Sequence, residues 1–127
     1  GLENVILMPH LGASTSEAEE NCAFMVASQN TEFLQNGNIK NSVNFPEVNL
    51  ERTRGSFRLA VVIRIVPKIL GSVLSALADK NINVLDMLNK SKDEIAYNLI
   101  DIDTKVSDQL LLEISRIEGV VNARGFH

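Results

Sequence analysis

Tryptophan is absent from this chain, cysteine occurs once, and proline appears only three times in 127 residues. A single cysteine excludes a disulfide within these residues and leaves no thiolate cluster for a metal, so no metal site is expected. Cys22 falls in a helical pattern and is expected to be a small buried side chain rather than a reactive thiol. No apolar run approaches the ~20 residues that a membrane-spanning helix requires, and no basic region precedes Leu2 as it would in a secretory leader. Basic blocks are missing too. The formal charge of −4 argues against a nucleic-acid partner. What remains is a globular balance, 45% hydrophobic and 22% charged, with the cytoplasm as the expected compartment.

The first third carries one short apolar run, Asn4 to Met8, closed by Pro9. It reads as a buried strand leaving a sheet. Ser14, Thr15 and Ser16 offer helix N-caps, and Ser14-x-x-Glu17 and Ser16-x-x-Glu19 both fit a capping box. A helix is expected to about Asn36, ended by Gly37 in the left-handed conformation. Ala18, Cys22, Met25, Val26 and Phe33 share one face, and Phe24, Ala27 and Leu34 widen the apolar surface. So much apolar area needs a cover, either the sheet that follows or a second copy. From Gly37 to Gly55 the periodicity gives way to turn residues such as Asn41, Asn44, Pro46 and Asn49. Val43, Phe45 and Val48 are expected to pin this linker to a surface. A domain boundary is placed near Glu51, dividing the chain into residues 1–50 and 51–127.

The second part alternates strand and helix signals. Phe57 to Ile65 is rich in β-branched residues and reads as a strand. Pro67 suits the first turn of a helix running to about Lys80, with Ile69, Leu70, Val73, Leu74 and Leu77 as its buried stripe. Val84 to Leu88 makes a second strand, Asn89 to Glu94 a connection, and Ile95 to Asp103 a third strand. Ser107 can cap a second helix that buries Leu110, Leu111, Ile114 and Ile117 and ends at Gly119. Val120 to Phe126 closes the sheet. The order βαββαβ predicts an α+β, ferredoxin-like domain of four antiparallel strands with two helices on one face. Arg58, Arg64, Asp101 and Asp103 are expected to pair across neighbouring strands at the surface, each pair contributing under ~1 kcal/mol. Tyr97 should pack in the core or an interface, and His127 is expected to be a frayed end.

His10 stands just after the apolar run, at the mouth of a Gly-Ala-Ser-Thr turn, where a catalytic acid/base would be held. Taken alone, a solvated loop histidine is the commoner explanation. The surrounding residues add more. Asn4-Val5-Ile6, Pro9-His10-Leu11-Gly12 and Thr15-x-Glu17-Ala18 resemble the end of the catalytic core of D-2-hydroxyacid dehydrogenases, an α/β fold that uses NAD. Phe57 to His127 resembles an ACT domain, a regulatory module that commonly binds amino acids. Asn41-Ser42-Val43-Asn44-Phe45-Pro46-Glu47-Val48, followed by that domain, narrows the resemblance to the branch that oxidises 3-phospho-D-glycerate at the start of serine synthesis.

The resemblance implies that His10 exchanges the hydroxyl proton and that Gly12 and Ala13 lie near the nicotinamide. The family's orienting acid, substrate arginine and Gly-x-Gly-x-x-Gly turn have no counterpart in these residues, so the chain alone is expected to be inactive and to hold no NAD. It also implies a homodimer or higher oligomer through the ACT strands, with an amino-acid effector such as serine at their interface. Asn83 matches one effector contact. Two other family contacts are Ile63 and Ile65 here, and the usual Pro-Gly turn is Pro67-Lys68, which argues against tight serine binding. Two alternatives stay open: an amino-acid-sensing module, and a purely structural module whose isoleucines form a dimer seam.

Overall fold

A computed structural model describes residues 3–126. Helix α1 spans Ser16–Asn36, followed by β1 Phe57–Arg64, α2 Ile69–Ala78, β2 Val84–Lys92, β3 Ile95–Ile102, α3 Asp108–Ser115 and β4 Val120–Phe126. The four strands form one antiparallel sheet in the order β2-β3-β1-β4. This is the expected ferredoxin-like arrangement, with β1 and β3 central and β2 and β4 as edges. His127 lies outside the described residues.

Strand alternation sorts the sheet into two faces. Leu59, Val61 and Ile63 of β1, with Ala96, Ile100 and Ile102 of β3, join Ile69, Val73 and Leu77 of α2 and Leu110 and Ile114 of α3 in the main core. Both helical stripes therefore lie where their spacing placed them. Ser107 caps α3 by accepting from the Leu110 N–H at 3.2 Å. Gly119, at φ +94, turns the chain into β4 with its Cα pressed against Ile69, where a Cβ would stand 1.9 Å from Cδ1.

The opposite face is covered as well, and this the periodicity did not show. Ala60, Val62, Tyr97, Leu99 and Phe126 pack under Ile39 and Val48. Residues 37–55 are thus a strap rather than a tether. Ile39 and Val48 exchange backbone hydrogen bonds at 2.8 and 2.9 Å, and Phe45 meets Tyr97 edge to face at 6.0 Å. Phe45 and Val48 pin the strap as expected, whereas Val43 is 91% exposed.

Several other expectations change. Asn4 to Met8 forms no strand, and Ile6 and Leu7 are about nine-tenths exposed. A strand exists only through ladder partners, and none is present for this run among the described residues. Cys22 is exposed, because α1 buries no residue completely. Pro67 sits in the turn before α2, whose N-cap is Lys68 at φ 76, and α2 stops at Ala78 rather than Lys80. The stretch Asn89 to Lys92 belongs to β2, and the hairpin narrows to Asp93 and Glu94. Its polar residues suit an edge strand with one solvated face as well as they suit a loop.

Candidate functional site

The largest change from the expected picture concerns Arg58 and Asp101. They are direct partners across β1 and β3, and both are fully buried. Arg58 Nε donates to Asp101 Oδ1 at 2.6 Å and Nη2 to Oδ2 at 2.9 Å. The remaining Nη1 donates to the carbonyls of Asn36 at 3.1 Å and Leu50 at 2.8 Å, while Asp101 also accepts the Thr53 N–H at 3.0 Å. Burial by itself would raise the Asp101 carboxyl. The hydrogen bonds from Arg58 and Thr53 and the guanidinium charge outweigh that and hold it below the usual carboxylate value. The expected surface pair is an interior clamp that ties the sheet to both ends of the strap.

Two neighbours complete the junction. Tyr97 donates its hydroxyl to the Gly37 carbonyl at 2.8 Å, and Arg124 donates to the Leu34 carbonyl. The last carbonyls of a helix have no partner within it, so side chains of the sheet act as the C-cap of α1. The guanidiniums of Arg58 and Arg124 also complement the negative end of its dipole. Gly37 is required for steric reasons. It takes φ +74, and a Cβ there would stand 2.8 Å from Phe126 and 2.9 Å from Leu99. Sequence reading missed this site. The available signal was a pair of opposite charges, Arg58 and Asp101, each flanked on both sides by apolar residues in a mainly apolar strand.

The catalytic candidates lie apart from it. His10, Gly12 and Ala13 are exposed in an irregular segment before α1, with Gly12 and Ala13 in a turn closed by the Ser14 N–H bonding the Leu11 carbonyl at 3.0 Å. A Cβ on Gly12 would have nothing within 4 Å. The chain's own packing therefore does not demand a glycine there. Thr15 is the N-cap of α1, its hydroxyl accepting from the Ala18 N–H at 3.1 Å.

Asn83 is engaged locally. Its Nδ2 donates to Asp103 Oδ2 at 2.6 Å and its N–H to Oδ1 at 3.2 Å, and the Asn83 amide holds the Asp103 carboxyl below its usual value. Asp103 thus pairs with Asn83 and not with Arg64, which is exposed. Ile63 is buried in the main core and Ile65 is half exposed. Ile65 lies just beyond the end of β1, so the buried and the exposed isoleucine meet different surroundings. A wide recess lined by Val66, Lys68, Ser72 and Gly119 opens at the start of α2.

No family model matches the chain. In sequence it is 36% identical over 122 residues to a D-3-phosphoglycerate dehydrogenase of Haemophilus influenzae, a match covering 96% of this chain and 30% of that protein. The D-3-phosphoglycerate dehydrogenase of Escherichia coli is 33% identical over 124 residues with the same shares. D-3-phosphoglycerate dehydrogenase 2 of Saccharomyces cerevisiae is 37% identical over 107 residues, covering 81% of this chain and 22% of the yeast protein. The chain thus spans under a third of the length of these relatives. Among solved structures, the ACT domain of the GTP pyrophosphokinase of Chlorobium tepidum matches 58% of this chain and all of its own, at 16% identity and a TM-score of 0.49. The regulatory subunit of aspartate kinase from Thermus thermophilus covers 63% of this chain and 56% of its own, at 15% identity and a TM-score of 0.48.

Proposed function

Because this chain is homologous to the C-terminal part of D-3-phosphoglycerate dehydrogenases, we propose that it is the regulatory and assembly region of such an enzyme, joined to the last helix of its catalytic core. The match along 96% of the chain carries this reading. The parent enzyme would oxidise 3-phospho-D-glycerate in the cytoplasm, with NAD accepting the hydride from C2. His10 would take the hydroxyl proton, a task suited to an imidazole, whose ring nitrogens can both accept and release a proton. Gly12, open around its Cα, would let the nicotinamide approach the backbone. Only that edge of a cofactor site fits the residues present; the pyrophosphate cradle has no counterpart among them.

Residues 51–127 would form the ACT module and pair through their edge strands into a dimer or higher oligomer, since unpaired edges invite such contacts. Asn83 would be an effector contact, with its amide pre-oriented by Asp103. The full-length enzyme carrying this chain should reduce NAD with 3-phospho-D-glycerate, and His10→Asn should lower kcat by 10²-fold or more. Absence of turnover in the wild type would reject the enzymatic reading. Sedimentation of the 127-residue chain should show a dimer at tens of micromolar; a monomer would reject the assembly role. If serine inhibits the enzyme, Asn83→Ala should weaken that inhibition.

A further inference from the structure

A cavity of about 380 Å³ opens between the second half of α1, the strap and the outer face of the sheet. Val26 and Phe33 of α1, Phe45 of the strap, and Val62 and Tyr97 of the sheet make its walls apolar. Two cations stand among the lining residues, Lys40 and Arg124, and no Asp or Glu does, in a chain whose net charge is −4. Arg124 lies 5.3 Å over the Phe33 ring and 4.3 Å over that of Phe126. Those contacts and its bond to the Leu34 carbonyl fix the guanidinium without neutralising it. Lys40 is exposed and forms no salt bridge among the described residues. Glu32 is occupied by the amides of Asn36 and Asn38 and does not line the cavity.

An apolar pocket with a few convergent polar groups is the usual form of a small-molecule site, and this one sits at the lower end of the common volume range. We propose that the cavity binds a small carboxylate with an aromatic or branched apolar body, its carboxylate toward Lys40 and Arg124 and its body against Val62 and Tyr97. A neutral ligand would leave the two cations uncompensated, and a polar one would strip hydration for no return from the walls. Such a ligand touches α1, the strap and the sheet together, so its binding is linked to how firmly the helix is seated. The site is independent of the enzyme activity assigned above.

The test is a titration of the isotope-labelled 127-residue chain with 3-phenylpropionate, and with 3-phenylpropanol as its uncharged counterpart, followed by NMR. Saturable shifts centred on Val26, Phe33, Val62 and Tyr97, with a Kd near about 1 mM or tighter, support the site if the alcohol binds at least about fivefold more weakly. In Lys40→Met, a change at an exposed position that spares the fold, affinity for the acid should fall about three- to fivefold, with no change for the alcohol. Equal affinity for acid and alcohol overturns the proposal, as does the absence of saturable shifts at about 10 mM. Shifts of Val62 and Tyr97 that follow protein concentration instead of ligand would show that a second copy fills the groove, which also overturns it.

Discussion

Arg58 sets the energetics of the junction. Removing one member of a buried, fully bonded ion pair leaves the other charge uncompensated, at a cost of about 3–5 kcal/mol. Arg58→Met additionally strands the carbonyls of Asn36 and Leu50. Denaturant unfolding of this variant should show a loss of that size. The double variant Arg58→Met with Asp101→Leu should be less damaged than the single one, since no buried charge is left behind. Gly37→Ala combines a left-handed φ with a Cβ forced into Phe126 and Leu99. It should cost about 1–3 kcal/mol in the same measurement; a neutral result would mean that the helix end is free to shift.

Helix α1 shows how an element can be secured without burying a face. None of its residues is buried, and Phe24 is 77% and Leu34 61% exposed, yet its last turn is held by side chains from three strands. The N-terminal turns should therefore exchange amide hydrogens freely, while residues near 30–36 are protected. Arg124→Met removes the donor to the Leu34 carbonyl and the two ring contacts. Exchange in that last turn should accelerate about tenfold, as the loss of one well-placed interaction implies, with little change in α2 or α3. Equal acceleration everywhere would mean that Arg124 supports the whole fold. The capping residues were legible at this scale, since Thr15 and Ser107 both lie at anticipated N-caps, although neither expected capping box, Ser14-x-x-Glu17 or Ser16-x-x-Glu19, starts at the residue that caps α1. The left-handed Gly37 was legible too. The extent of β2 was not, because Asn89 to Lys92 has the composition of a turn and becomes strand only by pairing with β3.

For the molecule as a whole, two buried acids bound the pH range of stability from opposite sides. Tyr97 is raised from its ordinary value to about 12, because burial disfavours the phenolate more than Arg124 and Arg58 favour it. Its contribution is complete below about pH 10 and is lost as pH rises through about 12. Asp101 is depressed, so its contribution is complete above the ordinary carboxylate range near pH 4 and is lost as pH falls through its folded value. Thermal unfolding across pH should show a plateau between these limits. In Tyr97→Phe the alkaline fall should weaken; an unchanged alkaline limb would remove Tyr97 as its cause.

The sequence by itself determined the βαββαβ order, the two buried helical stripes and the family likeness, because local periodicity and short motifs carry that information. His10, Gly12 and Ala13 were legible as a motif for the same reason. Only the tertiary structure decided that residues 37–55 strap the second face of the sheet. It likewise decided that Arg58 and Asp101 face each other in the interior, and that a cavity forms beneath α1. Each of these depends on strand register and on which segment covers which face. Opposite charges on two strands hinted that Arg58 and Asp101 could pair, but no local pattern shows that partners 43 residues apart meet in the interior and not at the surface.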